Sequence, residues 1–326
     1  MQLSLVQYGV QSAFDTPVAA TGKLLGKIEV KQDTTVTIPK DDIGLNAPGF
    51  RTVKGGKLVT NTIEIARAYY RALPMIFSSL LTNDAVPVED VGFTWHFSPD
   101  FTHLGNTRSL YTIENGDLGI QGFENANVQF EKIKISGTIP QDGKDAPITI
   151  SIDYFGKDSV KAVFTANIEL PSVVELSAYL TKLYIDSSWD VVGTTLKSGL
   201  LRAFDIEIVG GAYPETHGGR DTYDNIGEGT KSILINLTID SGAESQDLMD
   251  HLGDTRAVKL EFPGPLIGVG VYHNLSIAAN CAIMEVIPYK SQEKDTQLAS
   301  VTLEGIVDIA TEKVFEVDVV TDIGEL

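Results

Sequence analysis

Cysteine is almost missing from this sequence: Cys281 is the only one in 326 residues. A single thiol excludes an internal disulfide framework and any zinc site built from several cysteines. No apolar run reaches the ~20 residues that a helix needs to cross a bilayer. The opening residues, Met1-Gln-Leu-Ser-Leu-Val, have neither a basic stretch nor an apolar one of signal-peptide length, so no export signal is expected. Basic residues are few beside acidic ones, 25 against 44, for a formal net charge of −19. Tight binding to nucleic acid is built from clustered Lys and Arg, and that balance speaks against it. With 43% apolar and 21% charged residues, the chain reads as globular, with room for one large domain or two ordinary ones.

The acid is unevenly spread. Residues 1–160 hold 18 acidic and 14 basic side chains, whereas residues 161–326 hold 26 and 11, so the second half carries −15. A one-sided field of this kind can solvate a surface, repel like-charged partners or line a passage for a polyanion.

Period-two alternation of apolar and polar residues dominates the chain. It runs through 131–139 (Ile133, Ile135, Ile139), 148–154 (Ile148, Ile150, Ile152, Tyr154), 204–209, 233–239, 301–309 and 314–320. Such runs predict half-buried antiparallel strands, and the continuous apolar runs and helical crossovers of a parallel sheet are missing. The expected fold is mainly β: an antiparallel sandwich or barrel with one or two flanking helices. Ile63, Ala66, Tyr70, Leu73, Phe77 and Leu80 follow helical spacing, Asn61 and Glu64 suggest a capping box, and Pro74 is expected to kink or split the helix. A second short helix is expected over 244–252. Two stretches are too long for tight connections: 41–56, with Gly44, Pro48, Gly49, Gly55 and Gly56, and 210–229, with six glycines and Pro214.

The strand–charged turn–strand pattern of 131–168 returns over 282–320, with Lys-Asp pairs at 144–145 and 294–295. This echo raises the possibility of a duplicated β module, divided as residues 1–168 and 169–326.

Reactive constellations are absent from the sequence. Among His96, His103, His217, His251 and His273, no pair has the i, i+4 spacing of a metalloprotease helix. Cys281 lies in an apolar run and reads as a buried small hydrophobe. There is no Gly-x-Ser-x-Gly elbow and no phosphate loop, and Gly268-Val-Gly270 reads as a turn. Asp221, Asp224 and Glu228 lack the oxygen spacing of a calcium loop. The expectation is therefore no enzyme, no cofactor and no metal.

The order of features across 9–160 carries a resemblance. Gln11-Ser-Ala-Phe-Asp-Thr-Pro17 is followed by an expected strand pair (23–30 and 34–38), Asp41-Asp42 with Gly44, Gly49-Phe-Arg51 and Gly55-Gly56. An aromatic strand ending at His96-Phe97, then Arg108-Ser-Leu-Tyr-Thr-Ile-Glu114 and Gly122-Phe123, lead into the paired strands. In this order the chain resembles the tail tube proteins of long-tailed, non-contractile bacteriophages, and 198–320 repeats the order more faintly.

The resemblance implies a structural virion protein, made in the host cytoplasm, whose rings stack into the hollow tail tube. It implies partners in further copies of itself, in the tape measure protein that fills the lumen, and in tail terminator and tip proteins. DNA would be met only in transit, and a membrane not at all. Two tail-tube-like modules in one chain suggest three-subunit, pseudo-sixfold rings, slightly ahead of true hexamers. The candidate assembly residues are Gly44, Pro48, Arg51 and Gly55 in the first loop and Tyr213, Pro214, Arg220, Asp221, Tyr223 and Asp224 in the second. Removing 211–227 is expected to weaken polymerisation and leave the fold largely intact. The alternatives are another virion β protein (terminator, baseplate or decoration module) or a carbohydrate-binding β-sandwich, for which Trp95 and Trp189 are the only tryptophans.

Overall fold

The computed structural model describes residues 4–29, 34–40, 49, 51–82, 87–101, 106–293 and 296–326. The first half of the described chain runs through β1 (Ser4–Gln11), β2 (Gly22–Lys23), β3 (Lys27–Ile28), β4 (Thr34–Thr37), β5 (Val53–Lys57) and β6 (Val59–Ile65). A 3-10 turn (Tyr70–Ala72) opens into α1 (Leu73–Leu80), followed by β7 (Val88–Glu89), β8 (Phe93–Phe97), β9 (Leu110–Asp117), β10 (Gln121–Thr138), β11 (Thr149–Gly156) and β12 (Ser159–Ala162). The second half continues with β13 (Lys182–Asp186), β14 (Leu201–Val209), β15 (Ala212–Glu215), β16 (Asn225–Glu228) and β17 (Ser232–Asp240). Then come α2 (Ala243–Asp250), β18 (Thr255–Gly268), β19 (Val271–Glu293), β20 (Thr296–Gly305) and β21 (Phe315–Thr321). The fold is mainly β and antiparallel, with two helices, as the alternation predicts.

Among the described residues seventeen strands join one network, and the other four form two hairpin arms, β4–β5 and β15–β16. Alternate residues point inward: Ile233, Ile235, Leu237 and Ile239 of β17 are buried while their neighbours are not. The inward side chains of both halves form one continuous core, including Phe130, Ile135, Ile206, Leu237, Ile277 and Val301.

The halves repeat one topology. β6 and β17 each lead into a helix; α1 packs on β10 and α2 on β19. The hairpins β9–β10 and β18–β19 correspond, as do β11 and β20, which pair with β6 and β17. β12 and β21 return to the first part of β10 and β19. The register agrees across the first bulge, and β19 carries a second irregularity, between Ile287 and Ser291, that β10 lacks. A bulge between Phe130 and Lys132 in the β10–β11 ladder matches one between Ile283 and Glu285 in the β19–β20 ladder. Past the bulge Lys132 faces Asp153 and Glu285 faces Thr302. These partners make like side-chain hydrogen bonds: Thr62 Oγ1 donates to Asp153 Oδ1 (2.7 Å), and Thr302 Oγ1 to Asn236 Oδ1 (3.0 Å).

The repeats are joined side by side. β14 of the second lies along β10 of the first from Lys132–Val209 to Thr138–Ala203. Lys134 Nζ reaches Asp205 at 2.8 Å and Lys132 Nζ reaches Glu207 at 3.7 Å across this seam. Gly137 is required here, because a Cβ on it would stand 2.4 Å from the Phe204 ring. β8 crosses the other way and pairs with β21. The run β3–β12, apart from the inserted β7 and β8, thus matches the run β14–β21 in order, and the two share one network and one core.

Two local expectations are corrected. The helical spacing over 61–80 holds only from Leu73, and Pro74 sits in the first turn of α1, where its missing N–H costs nothing. Residues 59–65 are strand β6: Val59, Asn61, Ile63 and Ile65 alternate inward, and pairing with β11 outweighs the local helical pattern. Among the described residues the expected strand pair 23–30 with 34–38 does not form, because β3 pairs with β6 and β4 pairs with β5. The expected helix over 244–252 is α2.

Candidate assembly surfaces

The hairpins β4–β5 and β15–β16 are corresponding arms, each preceding β6 or β17, and they meet. The Lys57 N–H donates to the Asp221 carbonyl at 2.6 Å, and Lys57 bridges in parallel to Thr222. Gly44 and Pro48 lie outside the described residues. Arg51 and Gly55 are exposed, and so is Arg220 at the tip of the second arm. Tyr213 is half exposed and Pro214 lies opposite Ile226 in β15–β16. Asp224 holds His217, its Oδ1 2.9 Å from Nδ1. The paired carboxylate pushes the imidazole pKa up, and the imidazole pulls the Asp224 carboxyl down.

Tyr223 departs from its expected place on the contact surface. It is buried between Phe14 and Phe155, with ring centroids 5.7 and 5.5 Å away, and its hydroxyl donates to the Asn127 carbonyl. Burial pushes its phenol pKa well up. An aromatic residue in a glycine-rich stretch signalled exposure; its partners, distant in sequence, decide otherwise. Tyr223 anchors the arm, and the surface available for docking is narrower than the loop.

A buried charge cluster roots the same arm and was missed in the sequence. Glu228 accepts from Arg108 Nη2 (3.1 Å) and from the amide of Asn106 (2.9 Å), and it pairs with Lys231. Arg108 also donates to the Gly210 carbonyl at 2.6 Å. The side chains of Arg108, Glu228 and Lys231 are all under 10% exposed, and burial pulls the Arg108 guanidinium pKa down. Gly210 is compelled by close approach, since a Cβ there would lie 2.1 Å from the Leu80 carbonyl oxygen. A cleft of about 470 Å³ opens beside the cluster, lined in part by Gln129, Tyr213, Glu215 and Asn225.

The corresponding hairpin tips both show apolar side chains. Leu118 and Ile120 of β9–β10 are 59% and 84% exposed, and Val269 of β18–β19 is 91% exposed. At and after its first bulge β19 also turns Met284, Ile287 and Tyr289 to solvent. Repeated exposed apolar groups at equivalent points suit protein–protein contact.

Among the described residues no group of three or more His, Cys, Asp and Glu is placed to hold a metal ion. Cys281 is fully buried, and burial pushes its thiol pKa up to about 12, well away from a reactive thiolate. His96, exposed on β8, faces Asp318, and His273 is buried, stacked on Tyr70 at 5.0 Å. His103 is outside the described residues. No helix of the described residues is long and apolar enough to cross a membrane. No family model matches the sequence, and the search of curated proteins finds no match.

Proposed function

We propose that this protein is a structural subunit that assembles into rings and stacks them into a hollow tube, as a tail tube protein of a long-tailed, non-contractile phage does. The observation that carries the reading is the duplicated β module whose two copies are already paired edge to edge within one chain. A subunit that joins like modules laterally is halfway to a ring built from more of them. The exposed apolar hairpin tips and the protruding arms supply contacts along the tube axis. In this reading further copies of the chain, the tape measure protein and the terminator and tip proteins are its partners, and the virion tail is its location. Three subunits would present six modules per ring.

The charge takes a role here as well. DNA moving through a tube must not adhere, so much of the −15 of residues 161–326 is proposed to face the bore or the ring faces. The carbohydrate-binding alternative draws no support from the tryptophans. Trp95 is buried with its indole N–H on the Ile323 carbonyl, and Lys313 lies 6.0 Å from the centre of the Trp189 ring.

Electron microscopy of the concentrated protein tests the proposal: rings or hollow tubes with an acidic bore are expected. Persistent monomers under all assembly conditions overturn the function, and a neutral or basic bore overturns the role given to the charge.

A further inference from the structure

The chain contains a template for its own intermolecular joint. Within the chain, β10 uses one edge for β11 and the other for β14 of the next repeat. In the second repeat β19 corresponds to β10, and its later half pairs with β20 on one edge only. On the opposite edge its last backbone bonds are at Ile283, which accepts from Gly253 (2.9 Å) and donates to Asp254 (3.0 Å). Beyond Ile283 no described residue pairs with that edge. In the first repeat β3 corresponds to β14. It pairs with β6 on one edge, as β14 pairs with β17, and no strand among the described residues takes its other edge. Among the described residues one repeat therefore ends in an open β10-type edge, and the other begins with an open β14-type edge.

We infer that these two edges pair between neighbouring copies of this chain: the outer part of β19 in one lies antiparallel to β3 of the next, repeating the β10–β14 seam. The register follows from the correspondence. Thr62 faces Asp153 and Asn236 faces Thr302 after the matched bulges, so Ile63 corresponds to Leu237 and Glu64 to Thr238. Ile28 and Lys27, opposite Ile63 and Glu64, then correspond to Phe204 and Ala203, opposite Leu237 and Thr238. On the other side Ser136 pairs with Thr149 as Ser291 pairs with Leu298, which places Gln292 and Glu293 where Gly137 and Thr138 stand. Transferring the pairs Gly137–Phe204 and Thr138–Ala203 sets Gln292 opposite Ile28 and Glu293 opposite Lys27 of the neighbour.

The charges agree with that register. Glu293 meets Lys27, while Glu29 falls opposite Ser291, as Asp205 lies opposite Ser136 in the internal seam. Joining the edges also removes two strand edges that would otherwise invite unregulated pairing. Because the free edges lie at the two ends of the repeat pair, the contact is head to tail and closes into a ring when the rotation per subunit permits.

This inference rests on the ring-forming function proposed above, and its test separates the two. Directly opposed residues in antiparallel strands have Cα atoms about 4.5–5.5 Å apart, within disulfide reach. The double variant Lys27→Cys/Glu293→Cys, oxidised after assembly, is expected to give a covalent ladder of subunits ending at the ring size, and each single variant none. Glu29→Cys/Ser291→Cys, two steps along the same register, serves if the first pair does not fold. Lys27→Glu alone is expected to lower the assembled fraction several-fold, and Lys27→Glu/Glu293→Lys to restore it. Rings or tubes that form without cross-linking in either pair overturn the joint and leave the function standing. Cross-linked rings that never stack support the joint and overturn the tube. A chain that stays monomeric overturns both.

Discussion

Glu228 is the residue whose loss the fold should feel most among its charged side chains. It lies between Arg108 and Lys231, all three buried, and receives the Asn106 amide as well. Removing one partner from a buried ionic cluster strands the remaining charge away from water, which costs about 3–5 kcal/mol. Glu228→Gln, which keeps the shape, is expected to lower unfolding free energy by about that amount in urea titration; a loss below about 1 kcal/mol would contradict the cluster's role. His217 offers a second test. Its folded pKa is raised by Asp224, so its contribution is fully present below about pH 6.5 and fades as pH rises through the folded value. The Asp224 pKa is lowered, so its share is present above about pH 4 and is lost as pH falls through its own folded value. The pair thus steadies the arm tip between about pH 4 and 6.5. An NMR titration should place the His217 midpoint above its ordinary value, and Asp224→Asn should return it there. An unmoved midpoint in the variant would refute the pairing.

At the scale of elements, the second arm has an anchored base and a free tip. Ala212 and Tyr223 are buried, and Glu228 closes the cluster below them. The expectation that 211–227 can be removed without harm to the fold therefore needs revision, since that deletion takes out the Tyr223 anchor and its bond to Asn127. Shortening only 216–220 is expected to leave the melting temperature within about 2 °C, because exposed tips carry little stability, and to reduce tube formation. Deleting 211–227 is expected to lower the melting temperature markedly. Equal effects of the two deletions in a thermal melt would show that the base anchors nothing.

For the whole molecule, the two repeats are expected to unfold together. β10 depends on β14, β21 on β8, and their inward side chains belong to one core. A fragment of residues 1–168 lacks β14, so the seam edge of β10 and the inward faces beside it are left open, and burial of apolar area is what offsets chain entropy. The full chain should show one calorimetric transition and the fragment no cooperative melt. A fragment that melts sharply would make the first repeat an independent domain. In the proposed ring this interdependence would bring the two modules in together, on their shared core and seam, rather than as two beads on a linker.

Alternation by itself identified most of the long strands, because side chains on a pleated strand take sides every second residue and burial sorts them by polarity. The repeat was visible over 131–168 and 282–320 for the same reason. Its earlier part was hidden, since β7 and β8 are inserted between α1 and β9 and disturb the spacing of the halves. Composition likewise marked the chain as globular and acidic, and the glycine-rich stretches marked where arms would rise. Which strand lies beside which was decided only by tertiary structure. Period two specifies a buried face but no neighbour, so β6 displaced an expected helix, and Tyr223, Arg108 and Glu228 acquired their places through partners far along the chain. The two edges left open among the described residues, β3 and the end of β19, have no sequence signature either: an edge is unpaired only once every other strand has taken its partner.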